Sequence, residues 1–140
     1  MNLPMIHPNL YLGSLEDSKK FHDGATVCVA GRSTIKQARP TYYVELDDDP
    51  QINPKQFMKK MIVSAQQINE ALKLFPKVMV HCYAGINRSV SAICVYSALT
   101  GRGSVDDIIF YIRRENAAKR GLPALTNATF ENIIRTLDRR

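Results

Sequence analysis

The stretch HCYAGINRS, residues 81–89, constrains this chain more than any other. It follows the apolar run KVMV and precedes the apolar run VSAICVYSAL. A short apolar run without alternation predicts a strand buried on both faces, and the second run predicts a buried helix. The loop between them therefore carries Cys82, Gly85 and Arg88 from the carboxyl end of a strand into a helix. In α/β sheets, ligands bind at this position.

The segment before this loop alternates between strand and helix patterns. Strands are predicted at NLYLG, ATVCVA and TYYVEL, which are short runs rich in apolar, β-branched or aromatic residues. A short helix is predicted at SLEDSKKF, with Ser14 as its N-cap. A long helix is predicted to begin after the N-cap Asn53, with Pro54 in its first position, and to end before Pro76. The polar and basic stretch GRSTIKQARP is predicted to be a loop.

Helical patterns fill the chain after the loop. Ser104 and Asp107 indicate a capping box at the beginning of one of these helices. Strand–helix alternation followed by helices predicts one α/β domain over residues 1–140, with a mostly parallel central sheet of about four or five strands flanked by helices. The three helices after the loop are predicted at roughly residues 87–100, 104–118 and 126–138.

Composition and charge exclude several classes of protein. The chain is 45% hydrophobic and 23% charged, which is typical of a folded domain and not of a disordered segment. Its beginning, MNLPMIHPNLYLG, lacks the basic and apolar regions of a signal peptide, and its longest apolar stretch has about half the length of a membrane span. Three cysteines without metal-like spacing disfavour a disulfide framework. We therefore expect an intracellular protein, cytoplasmic or nuclear, with no membrane contact. The net charge of +6 favours anionic partners. Nothing in the sequence indicates the oligomeric state.

The loop has the chemistry of a phosphate site. A loop that enters a helix presents backbone N–H groups that the helix cannot satisfy, and the helix dipole adds partial positive charge there. Gly85 permits a tight turn, and Arg88 adds a planar fork of donors suited to bidentate contact with phosphate. The residues expected to bind the phosphate are Tyr83, Ala84, Gly85, Ile86, Asn87 and Arg88.

Cys82 lies at the beginning of this loop, where the field favours a thiolate. Such surroundings lower the pKa of a cysteine thiol. A thiolate held against a bound phosphate is a nucleophile for phosphorus. Ser89 is predicted to hydrogen-bond the sulfur and to help it leave in a second step. His81 is predicted to orient the loop and not to act as a base, since an ionised thiol needs none.

Other roles for Cys82 fit the sequence less well. A zinc site needs further ligands at suitable spacings, which are not nearby. A nucleotide-binding loop needs the pattern G-x-x-x-x-G-K-[ST], which the chain lacks. A papain-like pair would recruit His7 or His22 and leave Arg88 without a role. No metal and no cofactor are expected.

HCYAGINRS resembles the signature H-C-x-x-G-x-x-R-[ST] of the cysteine-based protein phosphatases, and most closely their dual-specificity branch, whose loops commonly read H-C-x-A-G-x-S-R-S. HPNLYLGS resembles the opening strand of that family, YYVELDDD its strand ending at the acid, and TNATFENI its closing helix through Asn127 and Phe130. Thr126 stands where that helix usually has Pro and is expected to cap it. The resemblance implies a parallel sheet flanked by helices, a phosphocysteine intermediate, no metal, and hydrolysis of phosphotyrosine and phosphoserine or phosphothreonine in proteins.

A phosphate ester also needs a proton for its leaving oxygen, and LDDDP offers three aspartates. Strand alternation places Asp48 on the same side as Val44 and Leu46 and turns its two neighbours away. The acid of the family lies about five residues before the next helix, and counting back from Asn53 also gives Asp48. We predict Asp48 as the general acid, with Asp47 and Asp49 as alternatives.

Two other functions remain open at this stage. Asn87 stands where dual-specificity loops usually carry Ser and is typical of the related RNA 5′-triphosphatases, whose loops read H-C-T-H-G-x-N-R-T. The basic charge also suits RNA, but Tyr83 and Ala84 differ from that pattern, and that branch generally lacks the upstream acid. A non-enzymatic phosphate-binding module is the other alternative, although such proteins typically lose the Cys or the Arg.

Basic residues and cysteines elsewhere are given structural roles. Cys94 is expected to pack in a helix, and Cys28 could form a redox disulfide with Cys82 only if their strands are neighbours. A solvated helix face is predicted for Arg113, Arg114, Lys119 and Arg120, with a substrate-docking patch as the alternative.

Overall fold

A five-stranded sheet forms the centre of the molecule, which is known from a computed structural model that describes residues 2–139. The strands are β1 Met5–His7, β2 Leu10–Gly13, β3 Ala25–Ala30, β4 Tyr42–Glu45 and β5 Val78–His81. Their order in the sheet is β1-β2-β5-β3-β4. Only the edge pair β1–β2 is antiparallel, and the other three pairs are parallel. The predicted α/β class with a mostly parallel sheet is confirmed.

Helices cover both faces of this sheet. The helices are α1 Leu15–Lys19, α2 Arg32–Ala38, α3 Pro54–Leu74, α4 Arg88–Leu99, α5 Val105–Arg120 and α6 Ala128–Arg135, followed by a 3₁₀ turn, Thr136–Arg139. Of the predicted helices, α3 begins at Pro54 after the N-cap Asn53, as expected, and Ser14 caps α1 in a full capping box. No helix within residues 2–139 combines the length and the apolar character needed to cross a membrane.

The main core lies on the face of the sheet that α3 and α4 cover. Strand β5 is buried along its whole length, as its lack of alternation predicts, and α4 is buried from Ser89 to Ser97. The rings of Phe57 and Phe130 stack 4.4 Å apart and join α3 to α6. On the opposite face, a smaller cluster packs against α2 and contains Cys28, Ala30 and Cys82. The phosphate-loop cysteine is thus enclosed between the sheet and α2.

Two local predictions are wrong. GRSTIKQARP is not a loop, because residues 32–38 form α2, whose Ile35 and Ala38 pack against the cluster that contains Cys82. Gly31 gives this helix no side-chain cap, so its packing is what stabilises it. The N-cap of α6 is Asn127 and not Thr126, since the Asn127 side chain accepts a hydrogen bond from the Phe130 N–H.

Candidate active site

The phosphate loop, residues 82–88, connects the end of β5 to the first turn of α4. Gly85 has φ 73°, a left-handed conformation that other residues adopt at a cost. A Cβ atom at this position would lie 2.6 Å from both Arg120 Nη1 and the carbonyl oxygen of Gly13. The loop can therefore close only around a glycine.

Every backbone carbonyl from residue 82 to residue 87 accepts a hydrogen bond from a group outside the cradle. In a trans peptide the C=O and the next N–H point in opposite directions. Because these carbonyls accept hydrogen bonds on the outer side of the loop, the N–H groups that follow them point into the loop. The Gly85 N–H, for example, donates to Cys82 Sγ over 3.3 Å. In chain order the donors are His81 Nδ1, Leu15 N–H, Arg120 Nη2, Arg120 Nη1, Leu125 N–H and Ser91 N–H, at 3.1, 3.0, 2.8, 2.9, 2.7 and 2.9 Å.

The Cys82 thiol lies at the bottom of this cradle with 2% of the residue exposed. Its Sγ is 3.2 Å from Ser89 Oγ. Burial by itself raises the pKa of this thiol, but the side chain and N–H of Ser89, the charge of Arg88 and the Gly85 N–H outweigh it, so the pKa is lowered. The thiolate predicted from the sequence thus has its stabilising donors in place.

The other two cysteines lack such donors. Cys28 on β3 lies opposite His81 in the sheet and packs against Cys82, so the two strands are neighbours. Burial, together with the nearby Cys82, raises the pKa of Cys28 to about 12. Burial likewise raises the pKa of Cys94 on α4. Only Cys82 combines burial with an acidic thiol.

Arg88 is held in position by the loop that carries the three aspartates. Its Nη1 donates to the carbonyl of Leu46 over 2.9 Å. Its Nε is buried and has no hydrogen-bond partner within residues 2–139. A buried donor without a partner costs free energy, on the order of 1–3 kcal/mol, unless a ligand satisfies it. This arrangement suits a residue that binds an anion.

His81 is fully buried behind the loop. Burial lowers the pKa of its imidazole, against smaller opposing effects of the hydrogen bond to the Cys82 carbonyl and of Asp17. Because a carbonyl only accepts, Nδ1 carries the proton and donates to it over 3.1 Å. The ring thus holds a carbonyl of the loop, and the orienting role of His81 stays a prediction.

Asp48 is the aspartate that contacts the phosphate loop. Its Oδ2 accepts from Asn87 Nδ2 over 2.9 Å, and its Oδ1 accepts from Asn127 Nδ2 over 2.8 Å. Asp49 instead accepts from the Gln51 N–H through its own Oδ1, and Asp47 Oδ1 lies beside Gly31. The alternation argument thus selected the aspartate that lies next to the site.

Arg120 supports the site, which no pattern in the sequence indicated, and its predicted place on a solvated helix face is wrong. Its side chain is only 8% exposed and donates to the carbonyls of Ala84 and Gly85. It also donates to Asn116 Oδ1, which orients that buried amide. Arg120 holds the loop from behind, 35 residues away from Gly85 in sequence.

The other basic residues of α5 divide into two groups. Arg113 donates to the carbonyls of Ala124 and Leu125 and to Glu131, so it holds the segment before α6 and is not merely solvated. The Arg114 side chain is 62% exposed, as predicted, and Lys119 is partly exposed beside Glu115.

Within the phosphate loop itself, Tyr83 is 62% exposed at the rim.

Comparisons with known proteins agree with this geometry. No family model matches the chain. It is 24% identical over 114 residues to "Putative tyrosine phosphatase 123R" of Invertebrate iridescent virus 6, with 80% of this chain and 78% of the viral protein aligned. It is 27% identical over 122 residues to human dual specificity protein phosphatase 9, covering 80% of this chain but only 31% of that protein. The crystal structure of human DUSP28 superposes with a TM-score of 0.73 at 17% identity, covering 99% of this chain and 94% of that one.

These comparisons lead to one group of proteins. The chain has the fold of the cysteine-based protein phosphatases, and the proteins it resembles belong to their tyrosine and dual-specificity members. The resemblance to the dual-specificity branch that the sequence indicated is confirmed.

Proposed function

We propose that this chain is a phosphoprotein phosphatase that hydrolyses phosphotyrosine and phosphoserine or phosphothreonine through a phosphocysteine intermediate. The observation that carries the proposal is the cradle, in which outward-bonded carbonyls aim N–H groups at a buried thiol of lowered pKa. Its substrate is a phosphorylated protein in the cytoplasm or nucleus, and residues 1–140 act as one catalytic domain. No metal or cofactor takes part in the proposed mechanism.

The first step transfers the phosphoryl group to sulfur. The Cys82 thiolate attacks phosphorus, the bond from phosphorus to the ester oxygen breaks, and Asp48 gives its proton to the departing oxygen. Arg88 and the N–H groups of residues 83–88 hold the remaining phosphate oxygens and stabilise the charge that spreads over them.

The second step regenerates the enzyme. Asp48, now a carboxylate, takes a proton from a water molecule that attacks the phosphocysteine. The phosphorus–sulfur bond breaks, inorganic phosphate leaves, and the electron pair returns to Cys82 as a thiolate. Ser89 stabilises that thiolate through its hydroxyl, 3.2 Å from the sulfur.

RNA 5′-triphosphatase activity is the second candidate, favoured by Asn87 and by the net charge of +6. The contact between Asn87 and Asp48 bears on the choice, because it keeps a carboxyl group beside the loop. A triphosphate has a good leaving group and needs no such acid, whereas a tyrosine or serine ester does. The geometry therefore supports the phosphoprotein substrate better. A non-enzymatic phosphate-binding module would not require an acidic thiol or an acid.

The deciding experiment compares three substrates with one preparation of the protein. Turnover of a phosphotyrosine peptide, a phosphothreonine peptide and 5′-triphosphate RNA is measured, with Cys82→Ser as the matched control. We expect both peptides to be hydrolysed faster than the RNA, and Cys82→Ser to bind phosphate esters without turning them over. Faster hydrolysis of RNA would support the second candidate, and hydrolysis by Cys82→Ser near the wild-type rate would refute the phosphocysteine mechanism.

A further inference from the structure

We infer that Asn87 and Asn127 are positioning residues, a pair of side-chain amides that aims the carboxyl group of Asp48 at the leaving oxygen. The inference rests on the proposed function, since it assumes that Asp48 is the general acid. Each amide donates to a different oxygen of the same carboxylate, at 2.9 and 2.8 Å.

The orientation of both amides follows from their other contacts. Asn87 Oδ1 accepts from the Asn127 backbone N–H over 2.8 Å and from the Thr126 hydroxyl over 3.4 Å. Asn127 Oδ1 accepts from the Phe130 N–H as the N-cap of α6. With each amide oxygen occupied by a donor, each amide nitrogen has to face Asp48.

Asn87 gives up an ordinary role to make this contact. It is the N-cap residue of α4, yet its side chain makes no capping hydrogen bond. An N-cap side chain normally satisfies one of the free N–H groups in the first turn of its helix. Here it reaches away from α4 to Asp48 and Thr126 instead. A serine, the usual residue at this position in dual-specificity loops, has a side chain one heavy atom shorter and lacks the amide.

The segment around Asp48 needs such support. Residues 46–49 have no regular secondary structure, and Asp47, Asp48 and Asp49 are exposed. An exposed aspartate in an irregular segment samples several rotamers, and only some of them would point at a bound ester. The two amides select one rotamer and fix it relative to both the phosphate loop and α6. A shift of about 1 Å in a catalytic group lowers rates by as much as about 10²-fold.

The test is Asn87→Ser, assayed on aryl phosphates whose leaving groups differ in acidity. We expect kcat to fall by about 10- to 100-fold for poor leaving groups and to stay unchanged for very good ones, which depart without a proton. In the Asp48→Asn background, Asn87→Ser should cause no further loss, because its effect passes through the acid. The exposed Asn132→Ser on α6, the same change in side chain, is the matched control and should have the wild-type profile.

A second variant separates positioning from helix capping. Asn127→Asp keeps an acceptor for the Phe130 N–H, so α6 stays capped, but it replaces the donor that faces Asp48 by a carboxylate. We expect the same leaving-group dependence as for Asn87→Ser. Equal losses on good and poor leaving groups, or additive losses in the double variant with Asp48→Asn, would show that the amides only support the loop and would overturn the inference.

Failure of the proposed function has a different outcome. If the wild-type protein hydrolyses no phosphate ester, or if Asp48→Asn costs nothing on poor leaving groups, the assignment of the acid is wrong. Hydrogen exchange of the backbone amides of residues 46–49, 51 and 52 then still reports on the amide pair. Faster exchange in Asn87→Ser than in Asn132→Ser supports the ordering of this segment by Asn87, and equal exchange refutes it.

Discussion

Removing the hydroxyl of Ser89 should make the Cys82 thiol less acidic while the cradle stays intact. In Ser89→Ala the sulfur loses a donor 3.2 Å away but keeps the Gly85 N–H and the charge of Arg88. The Ser89 residue is fully buried, so water cannot replace the hydroxyl without rearrangement. The pKa of Cys82 should therefore rise.

The size of the effect follows from the kind of hydrogen bond that is lost. A hydrogen bond to a charged group contributes about 1.5–3 kcal/mol, which corresponds to about a 10- to 150-fold change in an equilibrium. On the acidic side of its titration, the thiolate fraction of Cys82 should fall by that factor. A more basic thiolate is also more nucleophilic, which returns about half of the loss on a logarithmic scale. Alkylation at acidic pH should therefore slow by about 3- to 12-fold.

The assay is the rate of iodoacetamide alkylation of Cys82 as a function of pH, followed by peptide mass spectrometry. Ser64→Ala is the matched control, because it removes a buried hydroxyl that donates to the Lys60 carbonyl within its own helix. The wild type and Ser64→Ala should be alkylated at more acidic pH than Ser89→Ala. Superimposable profiles for all three proteins would refute the assignment of Ser89 as a donor to the thiolate.

Three further predictions concern the surroundings of the thiol. Arg120→Met should lower kcat by at least about tenfold while the protein stays folded, because two charge-assisted hydrogen bonds to the loop are lost. Steady-state kinetics with a thermal-unfolding control would check this, and an unchanged kcat would contradict it. Cys28 and Cys94 should remain unmodified by iodoacetamide at neutral pH in the folded protein, since burial raises both pKa values, and labelling of either before Cys82 would contradict the structure. Vanadate should inhibit turnover and protect Cys82 from alkylation. A chelator should leave the rate of turnover unchanged, because Arg88 and the backbone N–H groups stabilise the phosphate charge. Loss of activity in the chelator, restored by magnesium, would favour a metal at the three aspartates.

Local signals in the sequence were sufficient for much of the fold. The cap and proline at Asn53 and Pro54 located the beginning of α3, and the unbroken apolar run before His81 located β5. Alternation extended past the end of β4 pointed to Asp48, which contacts the phosphate loop although residues 46–49 do not continue the strand. The role of Asp48 as the acid stays a prediction. For α3 and β5 the determining signals lie within a few residues, so a short window contains them.

The parts that were missed depend on contacts between distant residues. Helix α2 has no side-chain cap and is stabilised by packing against the sheet, which its own residues do not reveal. Arg120 reads as one more charge in a basic run, and only the approach of α5 to Gly85 gives it a role. The amide pair at Asp48 joins positions 39 and 79 residues away from it. A single sequence carries no signal for such pairs.

The outward hydrogen bonds of the phosphate loop also determine when the site comes into existence. Arg120 lies 35 and 36 residues after the carbonyls that it holds, and Leu125 donates to the carbonyl of Ile86 from still further along the chain. A growing polypeptide therefore carries Cys82 as an ordinary thiol until α5 and the segment after it have been synthesised and docked. The lowered pKa of Cys82 is thus a property of the finished fold, and the appearance of an acidic thiol reports that α5 has docked.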